Sequence, residues 1–133
     1  MKQKFFTCKE CGNIITFIED KGVPVSCCGE KMEEIIPDSV DAAAEKHVPV
    51  AEVNGNKVKV TTSTVGHPML DEHLIQWISI ETEQGNQIKY LKAKNEPASE
   101  FILTDDDKFI VAYSYCNLHG LWKMEASDTA KQV

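Results

Sequence analysis

The sequence lacks the features that would suit a membrane, a nucleic acid or an oxidising compartment. No stretch approaches the roughly 20 apolar residues of a membrane-spanning helix, and residues 1–8 contain no apolar run typical of a signal peptide. The formal net charge of −7 leaves no basic excess for nucleic acid or an anionic membrane. Five cysteines, an odd number, do not favour a secreted disulfide framework. We therefore expect a cytoplasmic protein that binds neither nucleic acid nor membrane.

The 133 residues suffice for a very small domain followed by a sandwich-sized one. In the first 36 residues, short apolar stretches at 5–8, 14–18 and 32–36 alternate with turn-forming residues. So few apolar residues cannot build a self-sufficient core, and this segment therefore needs a staple. A Pro-Asp pair at 37 and 38 marks a boundary, which predicts domains at 1–37 and 38–133.

The second region has the pattern of an all-β domain from residue 48 onward. Apolar stretches of strand length, separated by turn-forming segments, occur at 57–60, 74–80, 87–93, 101–103, 109–115 and 121–124. Roughly seven short strands at this spacing predict an immunoglobulin-like β-sandwich.

Four of the five cysteines lie in the first region, as a Cys-x-x-Cys pair and an adjacent pair: Cys8, Cys11, Cys27 and Cys28. Four soft sulfur ligands in a tetrahedral array suit zinc or a single iron. The adjacent pair can reach one ion only if the backbone bends there, since consecutive strand side chains point to opposite faces. Ligand chemistry alone favours a structural zinc over iron, and a disulfide between the adjacent cysteines is a further alternative.

The second region contains the fifth cysteine and every histidine of the chain: His47, His67, His73, Cys116 and His119. A single histidine is usually a surface or core residue, but the joint arrangement argues otherwise. His67 and His73 bracket a turn-like segment, and Cys116 and His119 flank another. Four imidazoles and one thiolate are too many ligands for a tetrahedral zinc site. They suit a five-coordinate transition metal, iron above all, with an open sixth position for chemistry.

These residues also carry a resemblance to a known family. Three segments resemble the signature segments of superoxide reductases: EKHVPV at 45–50, GHPMLDEH at 66–73 and CNLHGLW at 116–122. The cysteine-rich region resembles the desulforedoxin domain of the two-iron members, the desulfoferrodoxins. The resemblance extends over residues 1–125, and no ligand of the family pattern is missing.

The resemblance implies a fold, a reaction and a set of roles. The fold would be all-β, with a small desulforedoxin-like, rubredoxin-like ribbon followed by an immunoglobulin-like β-sandwich, usually as a homodimer. Each chain would bind two iron ions, the first in the four-cysteine site, which reverses the preference for zinc. In the second site four histidines would be equatorial and Cys116 axial. Glu45 would bind the oxidised iron and Lys46 would attract the anion. The enzyme would reduce superoxide to hydrogen peroxide with electrons from a small carrier such as rubredoxin.

Three other functions stay open from the residues alone. The chain could be an electron carrier that uses only the four-cysteine site, although this leaves the histidines unexplained. It could be a zinc-stapled binding module on an immunoglobulin-like sandwich. It could also be a superoxide dismutase, although an axial thiolate should favour reduction over the oxidising half-reaction. The physiological electron donor and the role of the four-cysteine iron in turnover are not predictable from the sequence.

Overall fold

The computed structural model describes residues 3–39, 44–63 and 65–129, without the side chains of residues 45, 128 and 129. These residues form an all-β structure, as predicted, apart from the four-residue helices α1 (Ala44–His47) and α2 (Ala126–Thr129). No helix in them is long and apolar enough to cross a membrane. The chain divides into two compact units, Met1–Ile36 and Pro37–Val133. We call them the ribbon unit and the sandwich unit; the sequence-based boundary was placed one residue later.

The ribbon unit consists of five very short strands. β1 (Phe5–Thr7) lies between β2 (Ile14–Thr16) and β5 (Glu33–Glu34), and it is antiparallel to both. β3 (Ser26–Cys27) and β4 (Glu30–Lys31) form a separate hairpin. This hairpin was not predicted, because neither strand has an apolar alternation that would signal it.

The ribbon unit has almost no hydrophobic core. Among its described residues, the buried apolar side chains are those of Phe5, Cys8 and Met32. Other apolar side chains of this unit are exposed to solvent, with Ile18 92% and Val23 70% exposed. Apolar burial on this scale does not offset the conformational entropy lost by ordering some 36 residues.

The sandwich unit contains seven strands in two antiparallel sheets, which confirms the predicted immunoglobulin-like architecture. The three-stranded sheet has the order β10-β7-β6 and the four-stranded sheet the order β12-β11-β8-β9. Their bounds are β6 (Pro49–Asn54), β7 (Lys57–Thr62), β8 (Ile75–Thr82), β9 (Gly85–Tyr90), β10 (Ala98–Ile102), β11 (Phe109–Cys116) and β12 (Gly120–Glu125).

The inner faces of the two sheets meet in one core. Val58, Val60 and Phe101 come from the three-stranded sheet, and Ile78 and Ile80 from the four-stranded sheet. All five side chains are fully buried. A core of this kind stabilises the unit without help from a metal, because each buried aliphatic or aromatic side chain contributes about 1.5–3 kcal/mol.

The bounds of all the predicted strands of the sandwich unit differ somewhat from those observed, and two strands begin at least two residues earlier than predicted. β10 begins at Ala98 rather than at residue 101, because pairing with β7 extends to Ala98, opposite Thr61, across polar residues. β9 begins at Gly85 rather than at residue 87, because a tight turn pairs Gly85 with Thr82. In both cases backbone pairing, not apolar side chains, determines where the strand begins.

Candidate metal centres

The structure brings the four cysteines of the ribbon unit to one point. Cys8 directly follows β1, and a tight turn holds Cys11 beside it: the Gly12 N–H donates to the Cys8 carbonyl oxygen at 2.9 Å. The Cys8 N–H in turn donates to the Asn13 carbonyl oxygen at 2.9 Å. Gly12 has a φ of 82°, a left-handed conformation that favours glycine. This turn supplies two of the four thiols.

The adjacent cysteine pair lies at the tip of the β3–β4 hairpin. Cys27 is the last residue of β3 and pairs with Glu30, so Cys28 and Gly29 form the two-residue turn. Both turn residues are left-handed, with φ of 52° and 78°, as a tight type I′ hairpin requires. This turn supplies the predicted bend and moves the Cys28 thiol to the same side as that of Cys27.

The thiol geometry fits a tetrahedral ion. All four sulfurs lie within 4.8 Å of one another, and the Sγ atoms of Cys11 and Cys27 are 3.6 Å apart. A tetrahedron with metal–sulfur bonds of about 2.3 Å has edges of about 3.8 Å. Without an ion the thiols oppose one another's ionisation: the neighbouring thiols, Cys8 foremost, raise the pKa of Cys28 to about 12. The Cys11 backbone lowers the pKa of Cys8 to about 7.

In the sandwich unit, residues from three separate connections meet at one end of the sheets. His47 ends α1, just before β6, and His67 and His73 lie in the connection between β7 and β8. Cys116 ends β11, and His119 lies in the turn that leads to β12. We call these five residues the His–Cys cluster. Donor atoms of His47, His67, His73 and Cys116 all lie within 4.8 Å of one another.

His119 completes the cluster through its Nδ1 atom. This atom is 3.0 Å from His47 Nε2 and 3.8 Å from Cys116 Sγ. Two nitrogens bound to one metal at right angles, with bonds of about 2.1 Å, would be about 3.0 Å apart, whereas a tetrahedral angle would separate them by about 3.4 Å. The His47–His119 spacing is therefore short enough for both nitrogens to bind one ion.

The four imidazole rings form a closed circuit. The centroids of successive rings, in the order His47, His67, His73, His119 and back to His47, are 4.9, 4.8, 5.2 and 4.7 Å apart. Each ring is inclined by 72–80° to the next. Four rings around one centre would suit four imidazole ligands of one ion, with the Cys116 thiol as a fifth donor.

Two buried nitrogens of the His–Cys cluster have no hydrogen-bond partner, which indicates that an ion belongs here. The Nε2 atoms of His67 and His73 are buried without a hydrogen bond, although buried polar atoms are nearly always satisfied. On His67 the Nδ1–H donates to the Pro68 carbonyl oxygen at 2.7 Å. Since a carbonyl only accepts, this bond places the proton on Nδ1 and leaves the Nε2 lone pair for a metal.

Burial keeps His67 in the neutral form that a metal needs. The side chain is 8% exposed, and its burial lowers the pKa of His67 to about 4, reinforced by the neighbouring imidazoles. The imidazole is therefore neutral at pH 7. Four neutral nitrogens and one sulfur are too many donors for a closed tetrahedral zinc site, and they fit a transition metal such as iron.

Other side chains hold the ligands in place. The Trp122 ring stacks on His47 with centroids 5.1 Å apart, and its indole N–H donates to the His119 carbonyl oxygen at 3.1 Å. The Ser114 hydroxyl donates to the His47 carbonyl oxygen at 3.2 Å. Trp122 ends the CNLHGLW segment of the family resemblance, whereas no sequence signal pointed to Ser114.

The two residues predicted to act on the substrate both lie in α1. Lys46 is exposed and directly precedes His47. Glu45 is in the same turn, but its side chain lies outside the described residues. Lys46 thus adjoins a residue of the His–Cys cluster in sequence, and its role, like that of Glu45, stays a prediction.

Comparisons with known proteins agree with the resemblance seen in the sequence. The family model for desulfoferrodoxin matches residues 39–125. The desulfoferrodoxin of Nitratidesulfovibrio vulgaris is 42% identical over 123 residues, which cover 92% of this chain and 96% of the relative. The desulfoferrodoxin homolog of Archaeoglobus fulgidus is 39% identical and covers 89% of this chain and 93% of its own.

Solved structures agree as well. The crystal structure of the superoxide reductase from Treponema pallidum matches with a TM-score of 0.80 and 38% identity, over 94% of this chain and 100% of that chain. A one-iron superoxide reductase from Giardia intestinalis matches with a TM-score of 0.52 and 35% identity, over 61% of this chain and 98% of its own.

Proposed function

Because the chain belongs to the desulfoferrodoxin family, we propose that it is a superoxide reductase, an oxidoreductase that reduces superoxide and releases hydrogen peroxide. The observation that carries this proposal is the His–Cys cluster, where four imidazoles in a closed circuit and one buried thiol face a common centre. In each turnover, superoxide takes up one electron from the site and two protons from water, and one hydrogen peroxide leaves.

The metals proposed are two iron ions per chain. One is held by the four cysteines of the ribbon unit, and the other by His47, His67, His73, His119 and Cys116. Iron at the His–Cys cluster would supply the electron and an open coordination position for superoxide. One thiolate and four neutral imidazoles leave a divalent ion with a net charge of +1, so the donor set itself favours an anionic substrate.

The protein's own groups prepare this site for a small anion. Cys116 is fully buried, which keeps water from the sulfur. Lys46 adds a positive charge beside the cluster in a chain whose net charge of −7 repels superoxide. Because salt screens charges beyond about 8 Å, an ammonium group close to the cluster would count for more than the net charge of the whole chain. Glu45 is proposed to bind the oxidised site and to displace the product.

The electron has to come from another molecule, since each superoxide consumes one electron and the site must be reduced again before the next turnover. We propose a small one-electron carrier such as rubredoxin as the donor, in line with the family resemblance, which also supports a homodimer. All five cysteines are free thiols in the structure, which suits the reducing cytoplasm. The proposed role of the enzyme is therefore to detoxify superoxide in the cytoplasm.

The proposed reaction is tested by its stoichiometry. A known pulse of superoxide is delivered to the iron-loaded, pre-reduced protein, and hydrogen peroxide and dioxygen are both quantified. We expect one peroxide per superoxide without enzyme-dependent dioxygen. Half as much peroxide with matching dioxygen would make the protein a dismutase. If superoxide decay is not accelerated, the chain is an electron carrier or a binding module instead.

A further inference from the structure

His73 lies outside the named strands and helices. It lies in the connection between β7 and β8, two residues before Ile75 begins β8. Its own N–H and carbonyl groups are bonded to Leu70 within the same connection, at 3.1 and 2.9 Å. Its Nε2 atom is buried without a hydrogen bond. The position of the imidazole therefore depends on how this stretch of backbone is fixed to the rest of the unit.

One side chain fixes the backbone on both sides of His73. The Asn117 Nδ2 donates to the Glu72 carbonyl oxygen at 3.0 Å, and the Asn117 Oδ1 accepts from the Leu74 N–H at 3.0 Å. The Asn117 N–H also donates to the Leu74 carbonyl oxygen at 3.3 Å. The residues before and after His73 are thus tied to a single residue.

These bonds continue the sheet beyond its last backbone pair. The pairing of β11 with β8 ends where Cys116 lies opposite Ile75, after an irregularity in register at Tyr115 and Cys116. From Cys116 the chain has to turn so that His119 can face the cluster. The Asn117 carboxamide has one donor side and one acceptor side, as a peptide group has. The Asn117 side chain thus makes the hydrogen bonds to Glu72 and Leu74 that a further residue of β11 would otherwise make through its backbone. The backbone of residues 117–119 is then free to turn toward β12.

From this arrangement we propose that Asn117 is a positioning residue of the His–Cys cluster. It sets the distance between His73 on one connection and Cys116 on the other, and so keeps the His73 imidazole directed at the common centre. Groups that hold ligands in this way typically contribute about 10- to 100-fold in metal affinity. The inference rests on the metal site of the proposed function but not on its reaction with superoxide.

The test measures how fast the cluster releases Fe²⁺ to a ferrous chelator under anaerobic conditions. Asn117→Leu has similar volume but neither donor nor acceptor, and we expect release about 10- to 100-fold faster than in the unchanged protein. Asn117→Asp keeps the acceptor for Leu74 but loses the donor to Glu72, so its release rate should be intermediate. The ferric four-cysteine iron, followed by its visible absorption, should be retained in every variant.

Asn56→Leu is the matched control. Asn56 also joins two turns of the sandwich unit, since its Nδ2 donates to Asp105 Oδ1, but it lies at the far end of β6 from His47. It should leave Fe²⁺ release unchanged. Thermal unfolding of each iron-loaded variant shows whether it folds. If Asn117→Leu does not fold, the proposal is tested on Asn117→Asp, which should still release Fe²⁺ faster than the unchanged protein.

A double-variant cycle separates positioning from a general loss of stability. If Asn117 acts through His73, then adding Asn117→Leu to a His73→Ala protein should not accelerate release further. An equal acceleration in both backgrounds, or release from Asn117→Leu at the unchanged rate, would overturn the proposal. A protein that shows the predicted release but no reaction with superoxide would refute the proposed function alone.

Discussion

Among the residues that the structure describes, the ribbon unit buries three apolar side chains, whereas twelve buried residues form the core of the sandwich unit. Both units nevertheless gather sulfur ligands around one point. In the ribbon, the cysteines sit on turns that little else holds together, so the ion has to stabilise the fold. In the sandwich, Cys116 is itself part of the core, so the fold holds the metal site. The same ligand type would thus serve as a staple in one unit and as part of the proposed reactive centre in the other.

The largest effect on activity is expected for Cys116→Ser. Serine keeps the size of the side chain but removes the thiolate, so we expect no measurable turnover of superoxide while the four-cysteine iron and the sandwich remain intact. Superoxide consumption by the pre-reduced protein measures the first effect, and visible absorption and circular dichroism measure the second. Full activity in this variant would remove the thiolate from the mechanism.

For Cys11→Ser we expect the ribbon unit to lose its structure while the His–Cys cluster keeps its reactivity. Loss of one sulfur ligand should release the ribbon's ion and unfold the ribbon unit, because its three buried apolar residues cannot hold it. Hydrogen exchange should become fast across residues 3–36 and stay slow in β7, β8 and β11. The bimolecular reaction of the reduced His–Cys cluster with superoxide should be unchanged. A large loss in that rate would mean that the ribbon's iron takes part in the chemistry.

A core substitution should affect only the sandwich. Ile78 is fully buried between the sheets, so Ile78→Ala should lower the free energy of unfolding of this unit by about 2–5 kcal/mol. Denaturant unfolding followed by tryptophan fluorescence reports on the sandwich, since both tryptophans lie there. The visible absorption of the four-cysteine iron should be lost at the same denaturant concentration as in the unchanged protein. Equal shifts in both transitions would show that the two units depend on one another.

A smaller effect is expected for Lys46→Ala. Removing the exposed cation beside His47 should slow the reaction with superoxide by about threefold at low salt and flatten its dependence on ionic strength. Lys108→Ala is the control, because it makes the same change of net charge at an exposed lysine in the connection between β10 and β11. Equal slowing by both variants would mean that only the net charge matters.

The smallest effect on the rate is expected for Glu45→Ala. If the carboxylate binds only the oxidised site, the variant should change the ferric absorption spectrum but not the rate at which the ferrous site reacts with superoxide. Rapid mixing with superoxide, followed by absorption, measures both. A clear loss in that bimolecular rate would contradict the proposed role of Glu45.

Much of the fold could be predicted from the sequence because its signals are local. Turn-forming residues separate the strands of the sandwich, and the cysteine spacing indicates a four-sulfur site. Strand limits were less accurate where polar residues pair through their backbones, as at Ala98 in β10. The β3–β4 hairpin was missed because its signal is the left-handed turn at Cys28, a conformation that a non-glycine residue rarely adopts.

The residue types of the His–Cys cluster were predictable, but their arrangement was not. Spacing and ligand chemistry singled out the five residues. Which nitrogen of each imidazole faces the centre depends on contacts between distant segments, such as the proximity of His119 Nδ1 to His47 Nε2. The hydrogen bonds of Asn117 likewise join segments more than 40 residues apart in sequence. Contacts of this kind form only when segments distant in sequence come together in the folded unit.

The most direct test of the account asks which iron reacts first. The fully reduced protein is mixed rapidly with one equivalent of superoxide, and the visible absorption of the two ferric sites, which differ in ligands and therefore in spectrum, is followed in time. We predict that the spectrum of the His–Cys site appears first, with one hydrogen peroxide formed, while the four-cysteine iron stays reduced. Oxidation of the four-cysteine iron first would contradict the account.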